Sequence, residues 1–389
     1  MKRILFMAAF FVAVSCGAGS KDAPDPDKPA IPEEVGTPTF AKGADISWAS
    51  EMEAEGRKFR LKDGKEADIL SVLRASGINS IRLRVWVDPY KGWSGKEDVL
   101  AMARRVSEAG LALMVDFHYS DFFADPSRQQ IPAAWKADKA DIDKMCAHVT
   151  AHTKEVLEAL KAAGVTVNWV QVGNETRSGM LFGSGDLVWA NKGSEFASYV
   201  KLSNAGYNAV KEVYPYAMVM PHLNNAFDAS NNEWWVSSFK AQGGKFDALA
   251  FSHYPQECWN GKTRMEADEA NRLALEFVQF AVEKYKVPVI VSEVGVITWD
   301  DEAENKAEKE AEAKRLLQAF MTGIRKIKGC AGVFYWEPEV DGIWKPKVYG
   351  DASAIYRYTG EQGPWTKAYN MGAFTPSGAP TSVMEVFEY

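Results

Sequence analysis

Two glutamates form a pair that could carry out chemistry. Glu175 follows the apolar run 167–172 and Gly173, and Glu293 follows a second apolar run at 287–291. Two carboxyl groups ~5–5.5 Å apart can cleave a glycosidic bond with retention, one attacking the sugar carbon and one protonating the leaving oxygen. The residues alone leave two structural alternatives open. Glu175 could cap the next helix, or each glutamate could pair with an arginine such as Arg84, because buried carboxylates are costly unless used or paired.

The histidines offer a competing chemistry, a catalytic metal. Ligand types suited to zinc occur at several predicted strand ends: His118, His222, His253 and Asp45 or Asp116. Zinc-dependent barrel hydrolases usually carry an H-x-H pair on the first strand, which here has only Asp45 and Ser47. His148 and His152 lie four residues apart, but Val149 stands where a zinc-protease helix needs glutamate. We therefore expect chemistry that requires no metal.

A repeated order of strand, polar loop and helix must position these residues. Apolar runs predict strands beginning near residues 41, 79, 111, 167, 217, 248, 287 and 330. Helices are predicted at 65–75, 96–109, 138–163, 194–213, 231–242, 264–285 and 302–328. Eight strands alternating with helices favour parallel pairing, and eight is the number that closes a (β/α)8 TIM barrel. An open doubly wound sheet would carry a glycine-rich phosphate loop, and the sequence contains no such motif.

Polar side chains at the carboxyl ends of barrel strands meet at one mouth. Every predicted strand ends on such a group, which ordinary loop polarity would not produce. The residues expected around the two glutamates are Asp45, Arg84, His118, Asn174, His222, His253, Tyr254 and Trp336.

The overall composition excludes nucleic acid as a partner. The chain has 389 residues and a formal net charge of −7, and no block rich in lysine and arginine offers phosphate contacts. Cys146, Cys258 and Cys330 are widely spaced, which excludes a disulfide framework and a cysteine zinc site. At most one bridge could form, and free thiols fit the sequence equally well.

The N-terminus has the pattern of an export signal. Lys2 and Arg3 precede the apolar run 4–14, which is too short for the ~20 residues that span a bilayer. Small residues around Cys16 resemble a bacterial lipoprotein processing site, although Ala13 stands where leucine is usual, and ordinary secretory cleavage is the alternative. We expect a signal peptide at 1–15, a disordered tether at 16–38 starting from a lipidated Cys16, and one catalytic domain at 39–389.

The tether also suggests a location. Acidic residues soon after Cys16 resemble those of outer-membrane lipoproteins displayed on the cell surface. We therefore expect an exported monomer that touches the membrane through its lipid only.

Five motifs in order resemble glycoside hydrolase family 53, the endo-β-1,4-galactanases. They are Gly43-Ala44-Asp45-Ile46-Ser47-Trp48, Arg82-Leu83-Arg84-Val85-Trp86-Val87, Asp116-Phe117-His118-Tyr119-Ser120-Asp121, Val170-Gln171-Val172-Gly173-Asn174-Glu175 and Ser292-Glu293. The resemblance covers the chain from about Phe40 to the C-terminus. It implies retaining hydrolysis of galactan side chains of pectin. The alternatives are a clan relative that cuts mannan or cellulose, and a surface glycan-binding lipoprotein without turnover.

The same resemblance assigns roles to residues. It implies that Glu293 is the nucleophile and Glu175 the general acid/base, a distinction that the local sequence does not make. Asn174 would bind the sugar 2-hydroxyl. The further implied roles are Arg84 beside the nucleophile, Tyr254 orienting it, Trp336 as the platform beneath the sugar at subsite −1, and Asp45, Trp86, His118 and His253 around the pocket.

The sequence departs from the family pattern in its loops. Phe123 stands where many members have tryptophan, and Asn224 replaces an aspartate after the fifth strand. Some bacterial relatives hold a structural calcium in the loops after strands seven and eight. The loop after Glu293 soon becomes a charged helix here, so we do not predict calcium.

Overall fold

Eight parallel strands form the central sheet of the computed structural model, which describes residues 36–182, 195–299 and 306–389. The strands are β1 (Ala41–Asp45), β2 (Ser80–Val85), β3 (Ala112–Phe117), β4 (Trp169–Val172), β5 (Met218–Met220 and His222–Leu223), β6 (Leu249–His253), β7 (Val289–Val294) and β8 (Cys330–Trp336). All eight lie where the apolar runs predicted them. Residues 36–389 form one compact unit. The predicted signal peptide, the lipidated Cys16 and the tether up to residue 35 lie outside the described residues.

The sheet closes through β5. The first piece of this strand pairs with β4 and the second pairs with β6, so the order β5–β4–β3–β2–β1–β8–β7–β6–β5 begins and ends on one strand. Pro221 separates the two pieces because it has no N–H to donate. Its carbonyl still accepts a hydrogen bond from the Ala250 amide at 3.1 Å. The predicted (β/α)8 barrel is confirmed.

Ten helices follow the strands in the described ranges, and the longer ones cover the outside of the barrel. The ten are α1 (Ala49–Ala54), α2 (Ile69–Ala75), α3 (Lys96–Glu108), α4 (Ile142–Ala162), α5 (Glu195–Val213), α6 (Ala229–Ala241), α7 (Ala267–Tyr285), α8 (Lys306–Ile324), α9 (Lys347–Gly350) and α10 (Ala352–Thr359). None of the helices in the described ranges is long and apolar enough to cross a membrane.

Three predicted helices begin later than expected: the helix predicted from residue 264 starts at Ala267, and the other two have clear local reasons. The segment predicted from residue 65 first pairs Glu66–Ala67 with Phe59–Arg60, and α2 starts only after Asp68 caps it by accepting from the Leu70 amide at 2.8 Å. The segment predicted from residue 138 continues a 3-10 turn at Ala133–Asp138. Asp141 then caps α4 by accepting from two backbone amides.

The barrel interior changes from apolar to polar along the strands. Its lower part is a separate apolar cluster of Ala41, Ala112, Met114, Trp169, Met220, Ala248, Ala250, Ile290 and Phe334. The larger core lies between the sheet and the helices. Further along, the inward positions become buried polar groups: Asp45, Arg82, Asp116, Gln171, His222 and Ser252. Because these residues lie near the carboxyl ends of their strands, this polar layer lies directly beneath the mouth of the barrel.

Candidate active site

Arg82 is the centre of the polar layer beneath the mouth. Its side chain is fully buried and makes ion pairs with carboxylates from three strands: Asp45 at 2.7 Å, Asp116 at 2.8 Å and Glu293 at 2.9 Å. It also donates to the side-chain oxygens of Gln171 at 2.6 Å and Asn174 at 2.9 Å. One guanidinium therefore fixes groups from β1, β3, β4 and β7 relative to one another.

Glu293 reaches the mouth because of an irregularity in β7. Val291 pairs with Phe251, yet Glu293 pairs with the next residue of β6, Ser252, so β7 contains one extra residue at this point. Such a bulge redirects the following side chain. The Glu293 carboxylate then accepts a hydrogen bond from the Tyr254 hydroxyl at 2.8 Å, in addition to its ion pair with Arg82.

Glu175 lies across the mouth from Glu293. Oxygens of the two carboxyl groups lie within 4.8 Å of one another, close to the separation that retaining glycosidases use. Glu175 adopts a left-handed backbone conformation (φ 47°, ψ 48°), which is uncommon for a residue with a side chain. The structure therefore brings together the two glutamates that the sequence singled out.

The surroundings of the two carboxyl groups make them unequal. Burial and the negative charge of Glu293 raise the pKa of Glu175 to about 8. Burial also raises the pKa of Glu293, whereas the Arg82 cation and the Tyr254 hydroxyl act in the opposite direction. No basic side chain of the described residues forms an ion pair with Glu175. A proton shared by the pair is therefore held by Glu175, and the charge by Glu293.

His118 lines the mouth as a neutral ring. Its Nδ1 accepts from the Ala124 amide at 3.0 Å and from the Trp86 indole N–H at 3.2 Å, so this nitrogen carries no proton. Its Nε2 lies 2.9 Å from Asp116 and donates to that carboxylate. The predicted position of His118 in the pocket agrees with the structure.

Arg84 does not lie beside the nucleophile, contrary to expectation. Arg82 takes that position, and Arg84 forms an ion pair with Glu337 at 2.6 Å while its guanidinium lies 4.1 Å from the ring centroid of Trp48. Both arginines project into the barrel because they are two residues apart on β2. That spacing moves the side chain about 6.6 Å along the strand, so only Arg82 lies level with the Glu293 carboxylate.

Three other predicted pocket residues are buried away from the cleft. Asp45 is fully buried beneath the mouth, where it forms an ion pair with Arg82. Trp86 is 1% exposed, and its indole N–H donates to His118. His253 points out of the barrel, where its Nε2 contacts Asn271 of α7 at 2.8 Å. Alternation along β6 explains the error, because Ser252 and Tyr254 share the inward face and His253 has the opposite one.

The cleft itself has a volume of about 400 Å³. The predicted residues that line it are His118, Asn174, Glu175, Tyr254, Glu293 and Trp336. Trp336 is partly exposed at its floor, with the Tyr369 ring 4.7 Å away at a steep angle. Residues from the segments after β3, β6 and β8 also line the cleft and were not predicted from the sequence: Asp125, Arg128, Glu257, Tyr349, Trp365, Tyr369 and Met371.

Possible metal ligands also meet at this site. Within the described ranges, Glu175, His222 and Glu293 place ligand atoms within 4.8 Å of one another. Both nitrogens of His222 are engaged, Nδ1 with the Asn174 side chain and Nε2 with Ser252, each at 2.8 Å. Since the Glu293 oxygens are already bound to Arg82 and to the Tyr254 hydroxyl, this donor set suits proton transfer better than cation binding. The loop after β7, one of the two loops to which the calcium expectation refers, includes residues 300–305, which lie outside the described residues.

The three cysteines beyond the tether are free. Cys258 and Cys330 are buried and Cys146 is partly exposed, and no pair of them forms a disulfide. Of the arrangements that the sequence allowed, the structure has free thiols.

Comparison with known proteins identifies the family. The profile of glycosyl hydrolase family 53 matches residues 41–387. The chain belongs to this family. It is therefore a glycoside hydrolase, as the five motifs predicted.

Three proteins similar to this family 53 member show how far the similarity extends. An uncharacterized protein in the bgaB 5′ region of Niallia circulans is 32% identical over 77% of this chain and 83% of the relative. The endo-beta-1,4-galactanase of Bacillus subtilis is 28% identical over 90% and 86% of the two chains. A solved structure of a fungal beta-1,4-galactanase superposes with a TM-score of 0.73 and 25% identity, covering 90% of this chain and 99% of that one.

Proposed function

We propose that this protein is a retaining endo-β-1,4-galactanase that hydrolyses galactan side chains of pectin. The observation that carries the proposal is the pair of carboxyl groups within 4.8 Å, of which only Glu293 is paired with a cation. The names of the relatives support galactan as the polysaccharide.

The two steps follow from this asymmetry. In the first, the Glu293 carboxylate forms a bond to the anomeric carbon while the glycosidic bond breaks, and Glu175 gives its proton to the leaving oxygen. In the second, Glu175 takes a proton from a water molecule whose oxygen attacks the anomeric carbon and releases Glu293. The Tyr254 hydroxyl, 2.8 Å from Glu293, holds the attacking carboxylate in place. Asn174 lies at the cleft beside both glutamates, where it can bind the 2-hydroxyl group.

Replacing each glutamate tests the mechanism. Glu175→Gln and Glu293→Gln should each lose most turnover on linear galactan, whereas Glu257→Gln, a cleft residue paired with Arg264, should keep it. Near wild-type turnover in either of the first two variants would overturn the proposal. A panel of galactan, mannan and cellulose assigns the polysaccharide, and preferred hydrolysis of mannan or cellulose would contradict the galactanase assignment.

We also propose that the mature protein is a lipid-anchored monomer on the outer membrane, attached through Cys16. The support is the N-terminal sequence alone, with its basic start, short apolar run and cysteine after small residues. Cys16→Ala should move the protein from the detergent phase to the aqueous phase in a Triton X-114 partition. An unchanged distribution would contradict the anchor, and protease treatment of whole cells would test surface display.

A further inference from the structure

The orientation of the peptide group that joins Asn174 to Glu175 contributes to where the Glu175 carboxyl lies. Glu175 has φ 47° and ψ 48°, a region in which a residue with a side chain persists only when its surroundings hold it. A rotation of this peptide group would move the carboxyl away from the glycosidic oxygen. The contacts of this peptide group therefore contribute to the alignment of the acid, together with the hydrogen bond between the Glu175 carboxyl and Ser252.

Gln129 makes the shorter of the two contacts to this peptide group. Its side-chain Nε2 donates to the Asn174 carbonyl at 2.8 Å and to the Asp125 carbonyl at 3.1 Å. The other contact, between the Glu175 amide nitrogen and Nδ1 of His222, is 3.3 Å long. Both hydrogens of the Gln129 amide are thus used to tie the loop after β3 to the end of β4.

Gln129 is itself held firmly. It is 2% exposed, and its backbone pairs with Phe182, whose amide donates to the Gln129 carbonyl at 2.6 Å. A second bond joins the same two loops, from the Asn174 side-chain amide to the Ala124 carbonyl at 2.7 Å. Ala124 is in turn fixed to His118 at 3.0 Å. The hydrogen bonds that hold the Asn174–Glu175 peptide group are therefore anchored to the end of β3 as well as to the loop that contains Gln129.

From this geometry we infer that Gln129 is a positioning residue for the general acid/base. It acts through the Asn174 carbonyl, keeps Glu175 in its left-handed conformation and so aligns the proton with the leaving oxygen. The inference rests on the proposed retaining mechanism, in which Glu175 is the acid. It assigns to a glutamine outside the cleft lining an effect on one particular step, protonation of the leaving group.

That step can be measured separately from the rest. A phenyl leaving group needs the proton from Glu175, whereas 2,4-dinitrophenolate is stable enough to leave without it. Phenyl and 2,4-dinitrophenyl β-1,4-galactobiosides place the same two sugars in the cleft, so binding of the glycone is matched. The ratio of their kcat/KM values is also independent of the fraction of active enzyme, because both are measured on one preparation.

The test compares Gln129→Met with wild type and with Gln130→Met, the same substitution one residue further along. In Gln129→Met we expect kcat/KM for the phenyl substrate to fall by roughly 10- to 100-fold, the loss typical of a misplaced catalytic group. The value for the dinitrophenyl substrate should change less than about threefold. Gln130→Met should leave the ratio at its wild-type value. Gln129→Asn, whose amide is one methylene too short, should repeat the change and replaces Gln129→Met if that variant does not fold.

Two results would overturn the inference: equal losses on both substrates, which is the signature of general damage, or no loss on either. Failure of the proposed function looks different. If wild-type enzyme hydrolyses neither galactobioside nor galactan, the mechanism itself is wrong, whereas an active wild type with an unchanged ratio in both Gln129 variants refutes only the role of Gln129.

Discussion

Burial and the negative charge of Glu293 together raise the pKa of Glu175, so removing that charge should lower it. The two carboxyl groups have oxygens within 4.8 Å. At this separation and an effective dielectric constant of about 20, two unit charges repel by about 3.5 kcal/mol, which corresponds to a pKa change of about 2.5. Water in the open cleft screens part of this interaction, so in Glu293→Gln we expect the pKa of Glu175 to fall from about 8 by between about 1 and 2.5.

Carbon-13 NMR of protein labelled at the glutamate carboxyl carbons measures this pKa directly. The resonance of Glu175 is the one that is present in Glu293→Gln and absent from the double variant Glu175→Gln/Glu293→Gln. Glu257→Gln is the control, because it removes a negative charge from the cleft wall and leaves Glu175 and Glu293 unchanged. A Glu175 pKa that stays within about 0.5 of its wild-type value in Glu293→Gln, or falls equally in the control, would refute the electrostatic reasoning.

Three further predictions concern the ion pairs of Arg82, the pH dependence of stability and the effect of removing metal ions. Arg82→Lys should lower kcat on galactan by about 100-fold because lysine cannot reproduce the forked donors, whereas Arg84→Lys should lower it by less than about tenfold; equal effects would contradict the assignment of Arg82 to the nucleophile. Burial lowers the pKa of His253 to about 4 from 6.5, so the unfolded chain takes up the proton first and stability is lost as pH falls through this window. Between pH 7.5 and 5.0, His253 should lower the free energy of unfolding by about 2 kcal/mol. Urea unfolding of His253→Gln at the two pH values should show that this contribution is missing. Dialysis against EDTA should leave kcat on galactan within about twofold, since carboxyl groups carry the chemistry; a large loss restored by a divalent cation would contradict this.

The sequence predicts the parts of the site that depend on a simple period. Apolar runs locate all eight strands, and the polar residues after them place Glu175, Asn174 and Tyr254 at the mouth. Alternation along β6 could also have excluded His253, because Ser252 shares the inward face with Tyr254. Here the signal was present, but the strand end was assigned to His253 as well as to Tyr254.

Other parts depend on relations between strands that no single segment contains. Arg82 and Arg84 have the same inward direction on β2, and only the stagger of the closed barrel places Arg82 level with Glu293. The bulge in β7 follows from pairing with β6, since Val291–Ser292–Glu293 has no glycine to mark it. Tyr349 lies in the four-residue helix α9, and Trp365 and Tyr369 follow α10 in irregular chain, so no sustained period marks them as cleft residues.

The ionic floor of the cleft has a consequence for what the enzyme can accept. Three carboxylates, Asp45, Asp116 and Glu293, surround the one guanidinium of Arg82, so negative charge is in excess beneath the sugar. A neutral galactose feels little of this field at rest, but the ring becomes oxocarbenium-like as the bond breaks, and the field then stabilises it. This electrostatic stabilisation is therefore larger in the transition state than in the bound ground state. The same field repels the carboxylate of a galacturonate unit, so within a pectin chain the floor favours neutral side-chain sugars over the acidic backbone by charge alone.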